Sequence, residues 1–286
     1  MRDLENVLGL GLAGNFANHL EQAGEAKDFA HLVGEDANAP KGIFPFYVPG
    51  NSSYLGRFCF DNSAIILPAD KSLSVQAEPE VALKCELIYS ADKNLVENIV
   101  PTHFMAFNDA SVRNDKSAKK LSQKKNFSLG SKGYGANKIA IPNGAFTQGG
   151  ICDNYSIASF ICTEGVWEAY GEPSRLDTYS YFYETLICWM IKRLNFQEDF
   201  GVLQALYEIV REANYPKYAL ITIGATRYVP KNEKRFLAEG DIVSVVVFNH
   251  KKYSLDCVQN LAKQGDFANL GDDISMLRQE VIRGEI

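Results

Sequence analysis

Apolar runs of strand length, separated by turn-forming residues, set the pattern of this chain. Residues 6–12 (Asn-Val-Leu-Gly-Leu-Gly-Leu) read as a short buried strand, and similar runs follow at 56–60, 64–67, 80–88 and 103–107. Ala17 to Phe29 reads as helix interrupted near Gly24, and residues 34–52, with Gly, Pro and Asn at short intervals, read as loop. Apolar residues at helical spacing predict two amphipathic helices, at 176–194 and 197–213, whose aromatics belong to a core rather than to a cofactor box. Strands return at 218–224 and 241–248, and the tail from 254 to 283 reads as polar helix broken at Gly265 and Gly271. Grouped strands with few helices predict a β-rich α+β sandwich, barrel or roll. With no internal repeat and no clean linker, the expectation is one domain over 1–286, with its core at about 7–250 and a polar helical tail at 251–286.

The stretch 114–138 is rich in Lys, Ser and Gly and has little periodicity, so it reads as a long loop. Lys116, Lys119, Lys120, Lys124 and Lys125 cluster within it, and a solvated loop is the plainer reading than a docking patch.

Composition narrows the partners. The chain has 286 residues, 46% hydrophobic and 22% charged, as in ordinary globular proteins. A net charge of −6 gives no reason to expect a nucleic-acid or anionic-membrane partner. Six cysteines form no C-x-x-C pair, no apolar run reaches membrane-spanning length, and Met1-Arg2-Asp3-Leu4-Glu5 is unlike a signal peptide, so a reducing cytoplasm is expected. Four histidines leave no room for His-rich metal chemistry.

The candidate chemistry lies in acids. In an extended Ala77–Leu83, Glu78 and Glu80 point to the same face, roughly 6.5–7 Å apart along the strand. Two carboxylates so placed repel unless a cation or proton intervenes. A third acid, Asp109, follows the apolar Phe104-Met105-Ala106-Phe107. Three oxygen donors without convenient sulfur or imidazole point to Mg²⁺, Mn²⁺ or Ca²⁺. The plain alternative is the solvated face of a half-exposed strand, and Pro79 argues for an edge or a strand beginning.

The ordered motifs resemble the fumarylacetoacetate hydrolase family. Gly9-Leu10-Gly11-Leu12-Ala13-Gly14-Asn15-Phe16-Ala17-Asn18-His19 is similar to its G-x-N-Y-x-x-H segment, and Glu78-Pro79-Glu80-Val81-Ala82-Leu83 to its E-x-E-L-A strand. Asn108-Asp109-Ala110-Ser111-Val112-Arg113 matches N-D-x-S-x-R, and Ser131-Lys132-Gly133-Tyr134-Gly135 resembles the G-K-S-F turn. Ile223-Gly224-Ala225-Thr226 and Leu237-Ala238-Glu239-Gly240-Asp241 are looser echoes of the T-G-T-P turn and closing G-D strand.

The resemblance implies a mixed β-roll with an added helical pair, assembled as a homodimer, with metal at the mouth of the roll. It implies Glu78, Glu80 and Asp109 as metal ligands and Lys132 as the cation meeting a substrate oxyanion, with Lys125 a rival. Arg113, Tyr134 and Thr226 fall at substrate-binding positions, Arg113 also tying down the ligand loop. His19 falls at the general base. Relatives that hydrolyse acylpyruvates carry a glutamate three residues after that histidine, where this chain has Gln22, with Glu21 and Glu25 nearby. Ala225 stands where the family often has Thr, and the stretch from Lys132 to Gly224 is longer than usual.

The implied activity is a divalent-metal-dependent enzyme that cleaves, decarboxylates or tautomerises a small α-keto or 1,3-dicarbonyl acid through a metal-stabilised enolate. Two alternatives stand beside it: a catalytically degenerate binding protein of the same fold, and a 2-hydroxydienoate hydratase or lyase.

Overall fold

Strands buried on both faces organise the molecule, and the longest two form its centre. The computed structural model describes residues 4–16, 22, 36, 38–265, 267 and 270–284. The chain forms β1 (Leu8–Ala13), β2 (Gly42–Tyr47), β3 (Ala64–Leu67), β4 (Val75–Gln76), β5 (Pro79–Tyr89), β6 (Val96–Asp109), β7 (Ser111–Val112), β8 (Lys132–Tyr134) and β9 (Ile139–Ala140). It continues with β10 (Tyr155–Thr163), β11 (Val166–Ala169), β12 (Ser174–Arg175), β13 (Tyr218–Thr222), β14 (Ile242–Asn249) and β15 (Ile274–Arg283).

One sheet runs β2-β1-β13-β5-β6-β8, with β9 also on β6, and a second runs β11-β10-β14-β15-β3, with β12 on β10. Pairing is antiparallel except for β1 with β13 and β15 with β3. A short ribbon, β4 with β7, flanks the first sheet's end. The fold is thus mixed α+β and strand-rich, as expected.

Side-chain alternation divides the core. Val81, Leu83, Phe104 and Ala106 face the second sheet, where Val243, Val245, Val247 and Leu277 meet them. The opposite face of the first sheet carries Ala82, Met105, Phe107 and Tyr134, against Phe44, Phe46 and Phe60. On the far side of the second sheet, Val246 and Phe248 pack with Val258 and Ala262 of the helix Leu255–Gln264. Ser254 caps that helix by accepting from the Cys257 N–H, and Gly265 ends it at φ 66°.

Several expectations are corrected. Residues 42–47, expected as loop, are β2; Pro45 is tolerated because β2 is an edge strand. The predicted strand at 56–60 is a 3₁₀ turn at Tyr54–Gly56 followed by irregular chain, with one bridge between Phe60 and Lys132. The predicted long loop at 114–138 contains the helix Leu121–Lys125, which buries Leu121, Ser122 and Lys125, and the fully buried β8. The two predicted helices shorten to Tyr183–Phe196 and Leu206–Glu212. Between them Gln197 leaves helical geometry because its amide exchanges hydrogen bonds with both main-chain groups of Ile43, closing the edge of β2. The expected polar helical tail holds only as far as Gln264; beyond Gly271 the chain becomes β15, a central strand buried at every position from Ile274 to Leu277. The helix expected at 17–29 lies outside the described residues apart from Gln22.

Candidate functional site

The β5–β6 pair creates the site by register. Pro79 pairs with Asn108 and Glu80 with Phe107, and the Asp109 N–H donates to the Glu78 carbonyl at 2.9 Å. Cross-strand partners share a face, so period two places Glu78, Glu80 and Asp109 together. The Asn108 side-chain Oδ1 accepts from the Glu78 N–H at 3.0 Å, while its Nδ2 donates to Gln279 Oε1 at 2.9 Å. A residue of β15 therefore anchors the end of β6, next to Asp109.

The acids are not a solvated face. Glu78, Glu80 and Asp109 are 4%, 1% and 0% exposed, and one oxygen from each lies within 4.8 Å of the others. Burial demands compensation. Lys125 Nζ lies 2.7 Å from Glu78 Oε1 and 2.8 Å from Asp109 Oδ2, and Lys132 Nζ lies 2.9 Å from Asp109 Oδ1. Arg113 Nη2 lies 3.0 Å from Glu78 Oε1. Three carboxylates thus meet two ammonium groups and one guanidinium.

Glu80 is held differently. Its Oε2 accepts from the Gly224 N–H at 3.0 Å. Gly224 has φ +108°, a conformation suited to glycine, which aims that N–H at the carboxylate. Burial, then the negative charge of Asp109, pushes the Glu80 carboxyl well above the ordinary glutamate range, and Lys125 pulls the other way.

Aromatic rings support the cations. The Lys125 ammonium stands 5.1 Å from the Phe44 ring, and that of Lys132 is 5.9 Å from both Phe46 and Phe127. A Cβ on Gly9 would lie 2.4 Å from the Phe46 ring, and one on Gly11 would lie 2.4 Å from the Phe44 ring. The Gly-Leu-Gly of β1 therefore gives those rings their space.

Both rival lysines enter the cluster. Lys132 comes from β8, where it pairs directly with Asp109, and its ammonium also donates to the carbonyls of Ala110, Lys125 and Ser131 at 2.9, 2.6 and 3.2 Å. Lys125 is the last residue of the helix Leu121–Lys125 and is 2% exposed, so the solvated reading does not hold for it. Arg113 reaches Gln76 Oε1, the Tyr228 hydroxyl and Glu78 Oε1.

Of the remaining expected residues, Thr226, Tyr134 and Gln22 are described. Thr226 donates its N–H to the Pro79 carbonyl at 3.1 Å, fixing the chain between the two glutamates. Tyr134 packs edge-on against Phe60 and lines a cavity of about 570 Å³ with Asp61, Asn62 and Ser63. Gln22 accepts from the Tyr228 N–H at 3.0 Å and donates to Glu233 Oε1 at 2.8 Å. His19, Glu21 and Glu25 lie outside the described residues. Three tyrosines escaped the sequence reading because no motif marks them. The hydroxyls of Tyr170 and Tyr228 donate to the Ala77 carbonyl and that of Tyr179 to the Gly224 carbonyl, bracing the chain on both sides of the acids.

The donor set fits a hard divalent cation. All three groups are carboxylates, and both Asp109 oxygens, though close to ammonium groups, lack an aligned hydrogen-bond donor.

The profile of a family of unknown function, DUF5718, matches residues 25–281. The chain belongs to that family. No curated protein matches this DUF5718 member. Among solved structures it is similar to Cg1458 with inhibitor, at 14% identity and TM-score 0.55, covering 97% of this chain and 77% of that one. It is also similar to 2-keto-3-deoxyarabinonate dehydratase, at 17% identity and TM-score 0.53, covering 98% and 75%. A third is 2-hydroxyhepta-2,4-diene-1,7-dioate isomerase from Mycobacterium marinum, at 15% identity and TM-score 0.50, covering 98% and 75%. At these identities the likeness is one of fold. Among the described residues, no helix is long and apolar enough to cross a membrane.

Proposed function

We propose that this DUF5718 chain is a divalent-metal-dependent enzyme of the fumarylacetoacetate hydrolase type, acting on a small keto acid. The carrying observation is the buried triad Glu78, Glu80 and Asp109, whose ligand atoms converge within 4.8 Å. A magnesium or manganese ion bound there would supply Lewis acidity to an α-keto acid that chelates it through carboxylate and keto oxygens.

The chain's own residues have separable tasks. Glu78 is held by Arg113, and Glu80 by the Gly224 N–H, so both carboxylates are oriented beforehand. Lys132, fixed by Asp109 and three carbonyls, presents a positive charge beside the place where a substrate oxygen gains negative charge. His19 is the proposed base and Tyr134 and Thr226 the proposed substrate neighbours. Gln22 is neutral and committed to Tyr228 and Glu233, so it cannot polarise an imidazole as a carboxylate does. That favours decarboxylation, tautomerisation or dehydration, which need no activated water, over hydrolysis. The family resemblance extends the proposal to a homodimer, and the cysteine usage to a reducing cytoplasm.

The test is a panel of oxaloacetate, acylpyruvates and 2-keto-3-deoxy acids with Mg²⁺ or Mn²⁺. Released CO₂, released carboxylic acid, loss of water or solvent-hydrogen exchange identifies the bond that changes. Turnover of at least one, abolished by Glu80→Ala, is expected; inertness toward the panel in a folded, metal-binding protein contradicts the enzyme reading.

One observation favours a second reading, a binding protein without catalysis. Lys125, Lys132 and Arg113 balance the three acids charge for charge. Such a protein would bind a metal or a small acid and show no turnover to lose.

A further inference from the structure

We infer that Lys125 is an internal cation that competes with a divalent metal for the Glu78–Glu80–Asp109 cluster, so that metal loading requires its ammonium to withdraw. The inference rests on the proposal that this cluster takes a metal, and adds how the cluster is kept when it does not.

Geometry separates the two lysines. Lys132 pairs with Asp109 Oδ1 but is also fixed by three main-chain carbonyls, and it lies on a strand in register with its partner. Lys125 instead directs its ammonium between two of the prospective ligands, at 2.7 Å from Glu78 Oε1 and 2.8 Å from Asp109 Oδ2. A metal drawing on the same two carboxylates would face that positive charge at short range, in a place where 0–5% of each partner side chain is exposed. Two cations so close, with little solvent to screen them, cannot share the carboxylates at full strength.

The carrier of Lys125 suits an exchangeable group. It ends a helix of five residues, and the next residue, Asn126, leaves helical geometry at φ −97°, ψ 65°. Asn126 itself is held by the carbonyls of Phe46 and Arg57. The main chain after Lys125 is thus held, so withdrawal of the ammonium would be a movement of its side chain. Its ammonium also faces the Phe44 ring and the Asp109 carbonyl. With all three acids ionised, the cluster is neutral when Lys125 is in place and carries one net negative charge without it, which favours a divalent ion.

Calorimetric titration of the metal-free full-length protein with Mn²⁺ tests this, comparing wild type with Lys125→Met. The variant is expected to bind Mn²⁺ tighter, on the order of tenfold or more. If wild type binds Mn²⁺ and the variant binds equally or more weakly, the inference is overturned and the metal proposal stands. If neither binds, both fall. A crystal structure of wild type with Mn²⁺ gives a second reading that does not depend on the variant folding. Anomalous density among Glu78, Glu80 and Asp109, with the Lys125 ammonium no longer on both carboxylates, is the expected result. The same density with Lys125 still within ion-pair distance of both overturns the inference.

Discussion

Asp109 and Lys132 face each other across the β6–β8 pair, and their carboxylate and ammonium meet at 2.9 Å, with both side chains fully buried. Sheet register thus makes this ion pair, and the carbonyls of Ala110, Lys125 and Ser131 complete the lysine's surroundings. Lys132→Met leaves Asp109 short of a partner and is expected to destabilise the fold by about 3–5 kcal/mol, the usual cost of breaking a buried pair from one side. Urea denaturation of wild type and variant measures it; a loss within about 0.5 kcal/mol, the range of neutral surface changes, contradicts the assignment.

The raised Glu80 carboxyl makes a pH prediction. Because the folded pKa lies above the unfolded one, the folded state takes up the proton more readily. Stability from this group is therefore full below the ordinary glutamate range and lost as pH rises through the folded value. Melting temperatures of metal-free protein should fall across that interval more in wild type than in Glu80→Gln. Added Mn²⁺, which favours the charged carboxylate, should flatten the fall. Identical profiles for the two proteins would show that Glu80 is not the group responsible.

The Gly-Leu-Gly of β1 supports the cations through the rings it admits. Gly9→Ala drives a methyl toward the Phe46 ring, 2.4 Å from the nearest carbon, and should cost about 1–3 kcal/mol. Phe46→Leu, combined with it, should recover part of the loss, because the clash goes with the ring. Strictly additive losses in the double variant would contradict a direct contact.

Tyr228 joins two parts of the site: its hydroxyl accepts from Arg113 at 3.0 Å and donates to the Ala77 carbonyl at 2.9 Å. Tyr228→Phe removes both bonds at a buried place and should cost about 1–3 kcal/mol. Mn²⁺ affinity should fall as Arg113 loses its brace on Glu78. Unchanged stability and unchanged affinity together would argue against this role.

The sequence made the acids legible because their chemistry and the strand period coincide: Glu78 and Glu80 two apart, and Asp109 after an apolar run. Apolar runs likewise showed β5, β14 and the second half of β6, while the more polar first half of β6 was missed. The burial of Lys125 was hidden, since a lysine among four other lysines reads as solvated until tertiary contacts choose one. Gln279 was hidden as well; only the placement of β15 beside the first sheet brings its amide to Asn108. Beyond Gly271, polar residues suggested helix, whereas burial between β14 and β3 imposed a strand. The attachment of Gln22 to Tyr228 and Glu233 was hidden too, because it depends on chain more than two hundred residues away.

The most direct test of the metal-centre account is keto-acid turnover by protein stripped with EDTA and then resupplied with Mn²⁺, with Asp109→Asn measured alongside. Turnover that vanishes on stripping, returns with Mn²⁺ and is lost in the folded variant is the predicted result. Turnover that survives EDTA, or persists in Asp109→Asn, would contradict it.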